Sequence, residues 1–188
     1  NFLFLNSGFI LIIKKNSKIK INIVNNSDKD LTIFQKNLIN CELGSKVKIL
    51  EKFQYKGNSL NNILNLIKVK KNSQIDYQII QNFNKSNKLF LTSYANCDKN
   101  SLYNQNVFNF SEGFVRNFHY ADLNEVSSSV SLNGCFFLKD NNTTAIKTFI
   151  NHKIEKCESN QQYKGILKDN SQASYSSNTI VDKKAQET

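Results

Sequence analysis

Short apolar runs, each closed by a cluster of Asn, Ser or Asp, follow one another along the whole chain, and Pro is absent. No segment shows a strong apolar period near 3.6, whereas several alternate with period two, the signature of half-buried strands. In Lys18-Ile-Lys-Ile-Asn-Ile-Val24 and Lys46-Val-Lys-Ile-Leu-Glu-Lys-Phe53, Ile, Val and Phe face one way and Lys or Asn the other. The runs predict strands at Phe9–Lys14, Ile19–Val24, Leu31–Phe34, Val47–Phe53, Ile63–Val69 and Ile75–Phe83. They predict others at Leu89–Tyr94, Phe114–Tyr120, Val126–Leu132, Cys135–Leu138, Ala145–Ile150 and Tyr163–Leu167. The apolar stretch Phe2–Ile13 is interrupted by Asn6, Ser7 and Gly8, and reads as two strands rather than a signal peptide or a membrane span. Asn58–Lys68 is the best helical candidate, yet its β-branched content suits a strand at least as well.

The breaks are turn chemistry. Asn16-Ser17, Gly44-Ser45, Asn72-Ser73, Asn133-Gly134 and Asp169-Asn-Ser171 are representative. Asn and Asp tolerate positive φ and bond their own backbone, so they replace scarce Gly and missing Pro. Many short strands at regular spacing predict an all-β domain, either a solenoid or a β-sandwich, and periodicity alone leaves both open. Residues 1–188 are long enough for one core and read as a single domain.

The net charge is +10, with Arg116 the one arginine. The lysines are scattered rather than clustered among aromatics, so neither nucleic acid nor membrane is expected as a partner. The cysteines Cys41, Cys97, Cys135 and Cys157 form no Cys-x-x-Cys pair. Unpaired thiols, a reducing compartment and a cytoplasmic location are expected.

Motifs for catalysis are missing. There is no phosphate-binding Gly-x-x-x-x-Gly-Lys-Ser/Thr loop, no His-Glu-x-x-His helix, no Gly-x-Ser-x-Gly elbow and no Gly-x-Gly-x-x-Gly turn. His119, in Phe118-His-Tyr120, reads as a hydrogen-bonded histidine of an aromatic strand. His152 and Cys157, five residues apart, have the ligand types for iron, but two ligands do not make a site. They read as a corner histidine and a buried thiol. Cys41, Cys97 and Cys135 sit in or beside apolar stretches, where free Cys is usually buried. Glu155 and Glu158 would pair only on a helix, and none is indicated. No residue is assigned a catalytic, cofactor-binding or metal role.

The most specific segment is His152 to Thr188. Its informative positions are His152, Cys157-Glu-Ser159, Gln162-Tyr-Lys-Gly-Ile166 and Asp169, with Tyr175, Val181, Ala185-Gln186 and Thr188 following. With Ser7-Gly-Phe-Ile-Leu-Ile12 and Leu132-Asn-Gly-Cys-Phe-Phe137 upstream, this pattern resembles the SufB/SufD family of iron–sulfur cluster assembly proteins. The Gln-Tyr-Lys-Gly-Ile-Leu form is more similar to its SufD branch than to its SufB branch. The resemblance implies a right-handed parallel β-helix and a non-catalytic scaffold subunit acting with SufB-like and SufC-like partners in the full-length protein. It implies no cofactor held by these residues, an iron–sulfur intermediate belonging only to the full complex. Two departures stand out. Ser177 occupies a position that is usually Gly, which suggests a rebuilt rung corner. The chain also stops at Thr188, so the domain reads as incomplete at its C-terminus, and the family's Cys-x-His segment maps to no residue here. The rival functions are a SufB-type cluster scaffold, a solenoid enzyme acting on polysaccharide and a basic nucleic-acid module. The polysaccharide enzyme would need convergent acids that this chain does not offer.

Overall fold

The computed structural model describes residues 5–186. The described strands are β1 (Ile10–Ile13), β2 (Lys18–Ser27), β3 (Leu31–Cys41), β4 (Lys46–Tyr55), β5 (Ser59–Val69), β6 (Gln74–Gln81) and β7 (Lys88–Cys97). They continue as β8 (Leu102–Asn109), β9 (Phe114–Leu123), β10 (Ser129–Leu138), β11 (Thr143–His152), β12 (Glu158–Leu167) and β13 (Gln172–Val181). The odd strands form one sheet in order β1-β3-β5-β7-β9-β11-β13, and the even strands form a second in order β12-β10-β8-β6-β4-β2. Every pairing among them is parallel. No strand therefore pairs with its sequence neighbour. The chain crosses to the other sheet at each corner and returns one layer further on, making a parallel β-helix of about six turns. The sandwich alternative is excluded, because a sandwich is built from antiparallel pairs. The described residues contain no helix, and so none long and apolar enough to cross a membrane.

The sequence shows no repeat because the layers keep position, not identity. Asn37 and Asn65 meet 28 residues apart, as do Asp30 and Asn58. Ser93 and His119 meet 26 apart, and Ser128 and Cys157 meet 29 apart. One to three residues gained or lost at a corner blur the period without breaking the stack.

The corners carry the clearest ladder. Left-handed φ recurs at Asn16 (59°), Gly44 (68°), Asn72 (59°), Asn100 (53°), Ser127 (59°) and Lys156 (58°). The next residue is a serine at Ser45, Ser73, Ser101 and Ser128, whose hydroxyl donates to the carbonyl three residues back. Asn suits this conformation, while Lys156 adopts it without local side-chain compensation. Lys156→Asn is accordingly expected to raise stability by up to about 1 kcal/mol, read as a higher denaturant midpoint. An unchanged or lowered midpoint would contradict that account.

Several strand expectations need correction. β8 lies where no strand is predicted, yet Tyr103, Gln105 and Val107 point into the core. Val126–Leu132 and Cys135–Leu138 are not two strands: Val126 lies in a corner, and β10 runs unbroken through Asn133-Gly134. β13 lies beyond the last predicted strand and ends at Val181; of the resemblance positions after it, Ala185 follows in a turn, and Thr188 lies outside the described residues. Ser177 is not at a corner but inside β13, where its hydroxyl donates to Gln161 Oε1 at 3.0 Å. Of the two strands read in Phe2–Ile13, β1 is present; the other falls mostly outside the described residues.

Asn133-Gly134 is no hairpin because Gly134 has a packing task. It pairs with Tyr163 in the next layer, and a Cβ there would stand 2.5 Å from the Tyr163 ring and 3.1 Å from the Val107 carbonyl oxygen. Two residues on, the roles reverse. Gly165 pairs with Phe136, and a Cβ on it would stand 2.0 Å from that ring. Gln162-Tyr-Lys-Gly-Ile166 thus locks onto Asn133-Gly-Cys-Phe136, ring over glycine in each direction. Gly134→Val should cost about 1–3 kcal/mol by overpacking. Combining it with Tyr163→Ala should be clearly less than additive, because the second change vacates the contested space. Additive losses in a denaturation series would sink the interlock.

Candidate functional site

Isoleucine, valine and leucine fill most inward positions, but one row of the interior is polar. Asn37, Asn65, Ser93, His119, Thr148 and Ser177 stand in consecutive register on the odd-strand sheet. The first five are buried. Glu51, Tyr77, Gln105 and Gln161 reach them from the even-strand sheet.

Around Glu51, Asn25 Nδ2 donates to Oε1 at 2.8 Å and Asn65 Nδ2 donates to Oε2 at 3.3 Å. The Tyr77 hydroxyl also donates to Oε2. Asn65 Nδ2 bonds the Tyr77 oxygen at 2.9 Å, and Asn37 Nδ2 bonds Asn65 Oδ1 at 2.8 Å. Burial raises the Glu51 pKa, against the three donors, which lower it. The Tyr77 hydroxyl is pushed well above its usual value, first by burial and then by the Glu51 charge.

A second cluster surrounds His119, which is fully buried. Its Nδ1 lies 2.7 Å from Gln105 Nε2 and 3.0 Å from Ser93 Oγ. The Gln105 amide nitrogen can only donate, so Nδ1 accepts and the proton sits on Nε2, which has no partner. The Tyr103 hydroxyl donates to Gln105 Oε1 at 2.5 Å and fixes that amide's orientation. Burial lowers the His119 pKa from 6.5 to about 3, so the ring is neutral. Further along, Gln81 and Asn117 exchange two amide bonds of 2.8 and 3.1 Å.

His152 and Cys157 flank one corner and have separate partners. His152 ends β11, with Nε2 2.9 Å from Ser159 Oγ, and burial lowers its pKa. Cys157 takes the place of the corner serine, with Sγ 3.3 Å from Ser128 Oγ and 3.4 Å from the Glu125 carbonyl oxygen. All four cysteines are free thiols, as expected. Cys41, Cys97 and Cys157 are buried, while Cys135 is half-buried on the outer side of β10. Burial raises the thiols of Cys41 and, to about 12, Cys97, which leaves little thiolate for nucleophilic or metal chemistry. Glu155 and Glu158 are exposed, one in a corner and one at the start of β12. Among the described residues no three His, Cys, Asp or Glu side chains converge as a metal-ligand set.

Outside, a shallow depression of about 620 Å³ lies on the even-strand sheet, lined by Lys20, Lys48, Asp76, Asn104, Asn106 and Asn133 among others. Its amides bond between layers, Asn104 to Asp76 at 3.0 Å and Asn133 to Asn106 at 3.3 Å.

Sequence reasoning missed Glu51, although the alternation held the signal. Glu51 is in phase with Val47, Ile49 and Phe53, all buried, so the period already placed a carboxylate inside.

No curated protein matches the sequence. The family model described as "SUF system FeS cluster assembly, SufBD core domain" matches residues 6–188, which spans every strand of the coil. By that match the chain belongs to the SufBD core domain family of the SUF iron–sulfur cluster assembly system.

Proposed function

We propose that this chain is a SufD-type, non-catalytic subunit of the SUF machinery, working in the cytoplasm with a SufB-type subunit and a SufC-type ATPase. The observation that carries the SufD assignment is Gln162-Tyr-Lys-Gly-Ile166 at the start of the last coil, inside a family match covering residues 6–188. The interlock of Tyr163 with Gly134 and of Gly165 with Phe136 gives that motif a structural role. The thiols add support. Cys41 and Cys97, buried with raised pKa, and Cys157, buried and hydrogen-bonded to Ser128, suit a subunit that shapes an assembly more than one whose own β-coil thiols capture iron or sulfide. The iron–sulfur cluster is the cargo of the complex.

The test is co-expression of the full-length protein with tagged SufB-type and SufC-type subunits, followed by gel filtration and cluster reconstitution. A complex of all three, with cluster formation requiring the SufB-type subunit, is the expected result. Cluster formation by this protein and the ATPase alone would make it a SufB-type scaffold. Failure to assemble with either partner would overturn both assignments.

A further inference from the structure

The outer faces of the two sheets differ in chemistry. The even-strand sheet shows amides and lysines, while the odd-strand sheet shows rings. Phe90, Tyr94, Phe114, Phe118, Tyr120 and Phe149 all lie on its outward positions across β7, β9 and β11, each half-buried. Rings touch from layer to layer: Phe90 and Phe114 at 5.5 Å between centroids, Tyr94 and Tyr120 at 6.3 Å, Tyr120 and Phe149 at 6.0 Å. Leu64 and Leu66 extend the patch onto β5.

The unpaired charges in this patch have one sign. Lys68, Lys88, Arg116 and Lys147 are outward on the same strands, and none of them has a carboxylate partner among the described residues. The Arg116 guanidinium lies over the Phe118 ring, 4.5 Å from its centroid. The one acid on these outward positions, Asp122, is already neutralised by Lys153 at 2.7 Å.

We propose that this aromatic face docks an amphipathic helix of a separate protein, one whose apolar stripe is flanked by Asp and Glu. Aromatic residues and arginine are the side chains that concentrate binding energy at protein interfaces. The dimensions fit. Four strands about 4.8 Å apart and some nine residues long make a patch of roughly 15 by 26 Å, the footprint of a helix of about 17 residues. The unpaired cations select acidic flanks and disfavour a second copy of this chain, which would set the same cations against one another. The rings pack tilted against one another, with Phe118 edge-on to Tyr120, in two contiguous groups: Phe90 with Phe114, and Phe118, Tyr94 and Phe149 around Tyr120. Separate open platforms, as single-stranded nucleic acid uses, are not formed.

The test is fluorescence anisotropy of the full-length protein with a labelled 17-residue helical peptide bearing a Leu/Phe stripe and Glu flanks. Controls are the same peptide with Lys flanks, a scrambled Glu peptide and a labelled oligo-dT. Saturable binding of the Glu-flanked helix alone is expected. It should weaken about tenfold or more in Arg116→Glu/Lys147→Glu, which leaves the rings in place, and in Tyr120→Ser. A matched reversal at Lys20 and Lys48, on the other sheet, should leave it unchanged. No binding, equal binding of the Lys-flanked or scrambled peptide, or insensitivity to the Arg116/Lys147 reversal would overturn the proposal. Preferential oligo-dT binding would overturn it in favour of nucleic acid, and a concentration-dependent dimer abolished by Tyr120→Ser would overturn it in favour of self-association.

Discussion

Replacing Glu51 with Ala is expected to cost the fold about 3–5 kcal/mol, measured by denaturant unfolding at neutral pH. The side chain is fully buried and three donors converge on it: Asn25 Nδ2, Asn65 Nδ2 and the Tyr77 hydroxyl. Truncation leaves the buried Tyr77 hydroxyl proton without its acceptor, at about 1–3 kcal/mol, takes one of two acceptors from Asn65 Nδ2, and opens a cavity as well. Glu51→Gln keeps the shape and one acceptor oxygen, so it should cost much less. Its pH dependence supplies a second check. Burial raises the folded pKa of Glu51 above its unfolded value near 4.5. A raised acid favours the folded state below the unfolded pKa, and that stability is lost as pH rises through the folded pKa. The gap between wild type and Glu51→Gln should therefore narrow as pH increases. A gap that widens, or an Ala variant within about 1 kcal/mol of wild type, would show that the carboxyl is not held as described.

Period-two alternation made the strands legible, and it was most reliable where Ile and Val alternate with Lys, as in β2 and β4. It also found β9, although the usual polarity is inverted there: the rings of Phe114, Phe118 and Tyr120 lie outside, whereas Asn117 and His119 point in. It failed at β8, whose inward row includes Gln105 and Asn109 as well as Tyr103 and Val107. The cause is tertiary. A polar inward residue is tolerable only because the opposite sheet, some 12 to 36 residues away in sequence, supplies its partner. No local window contains both. The same limit explains Asn133-Gly134, whose glycine answers to Tyr163 in the next layer rather than to a turn. Solenoid and sandwich could not be separated by pattern because both alternate; the family resemblance favoured the solenoid, and the parallel register decides it.

The polar row bears on register. Parallel layers built only of Ile and Val would bury nearly equal area after a slip of two residues, since side-chain direction repeats every second position. A slip here would break the contacts of Asn65 with Glu51 and Tyr77 and of His119 with Gln105, and would strand buried donors and acceptors. Buried polar contacts of this kind stabilise little in net terms but penalise the wrong alignment heavily. The ring-over-glycine pairs at Gly134 and Gly165 fix register near the last coil by shape instead of by hydrogen bonds.

His119 should make the coil sensitive to mild acid. Its pKa falls from 6.5 to about 3 on folding, because burial disfavours the charged ring. The geometry points the same way, since a proton on Nδ1 would face the Gln105 amide N–H, a donor 2.7 Å away. A depressed base favours the folded state in full above its unfolded pKa. That stability drains away as pH falls from 6.5 toward 3, at a slope approaching about 1.4 kcal/mol per unit. The loss accumulates to about 4 kcal/mol by the lower limit. His152 acts in the same direction, and protonation of carboxylates alters the background, so the informative quantity is a difference. His119→Asn places an amide oxygen where Nδ1 accepts, keeps the bond from Gln105 and removes the titration. Urea midpoints of wild type and His119→Asn, taken from pH 7.5 down to 3.5, should converge and then cross, with the variant the more stable at the acid end. Parallel curves across that range would mean that His119 is solvated in the folded protein, and the closed polar interior described for the coil would have to be abandoned.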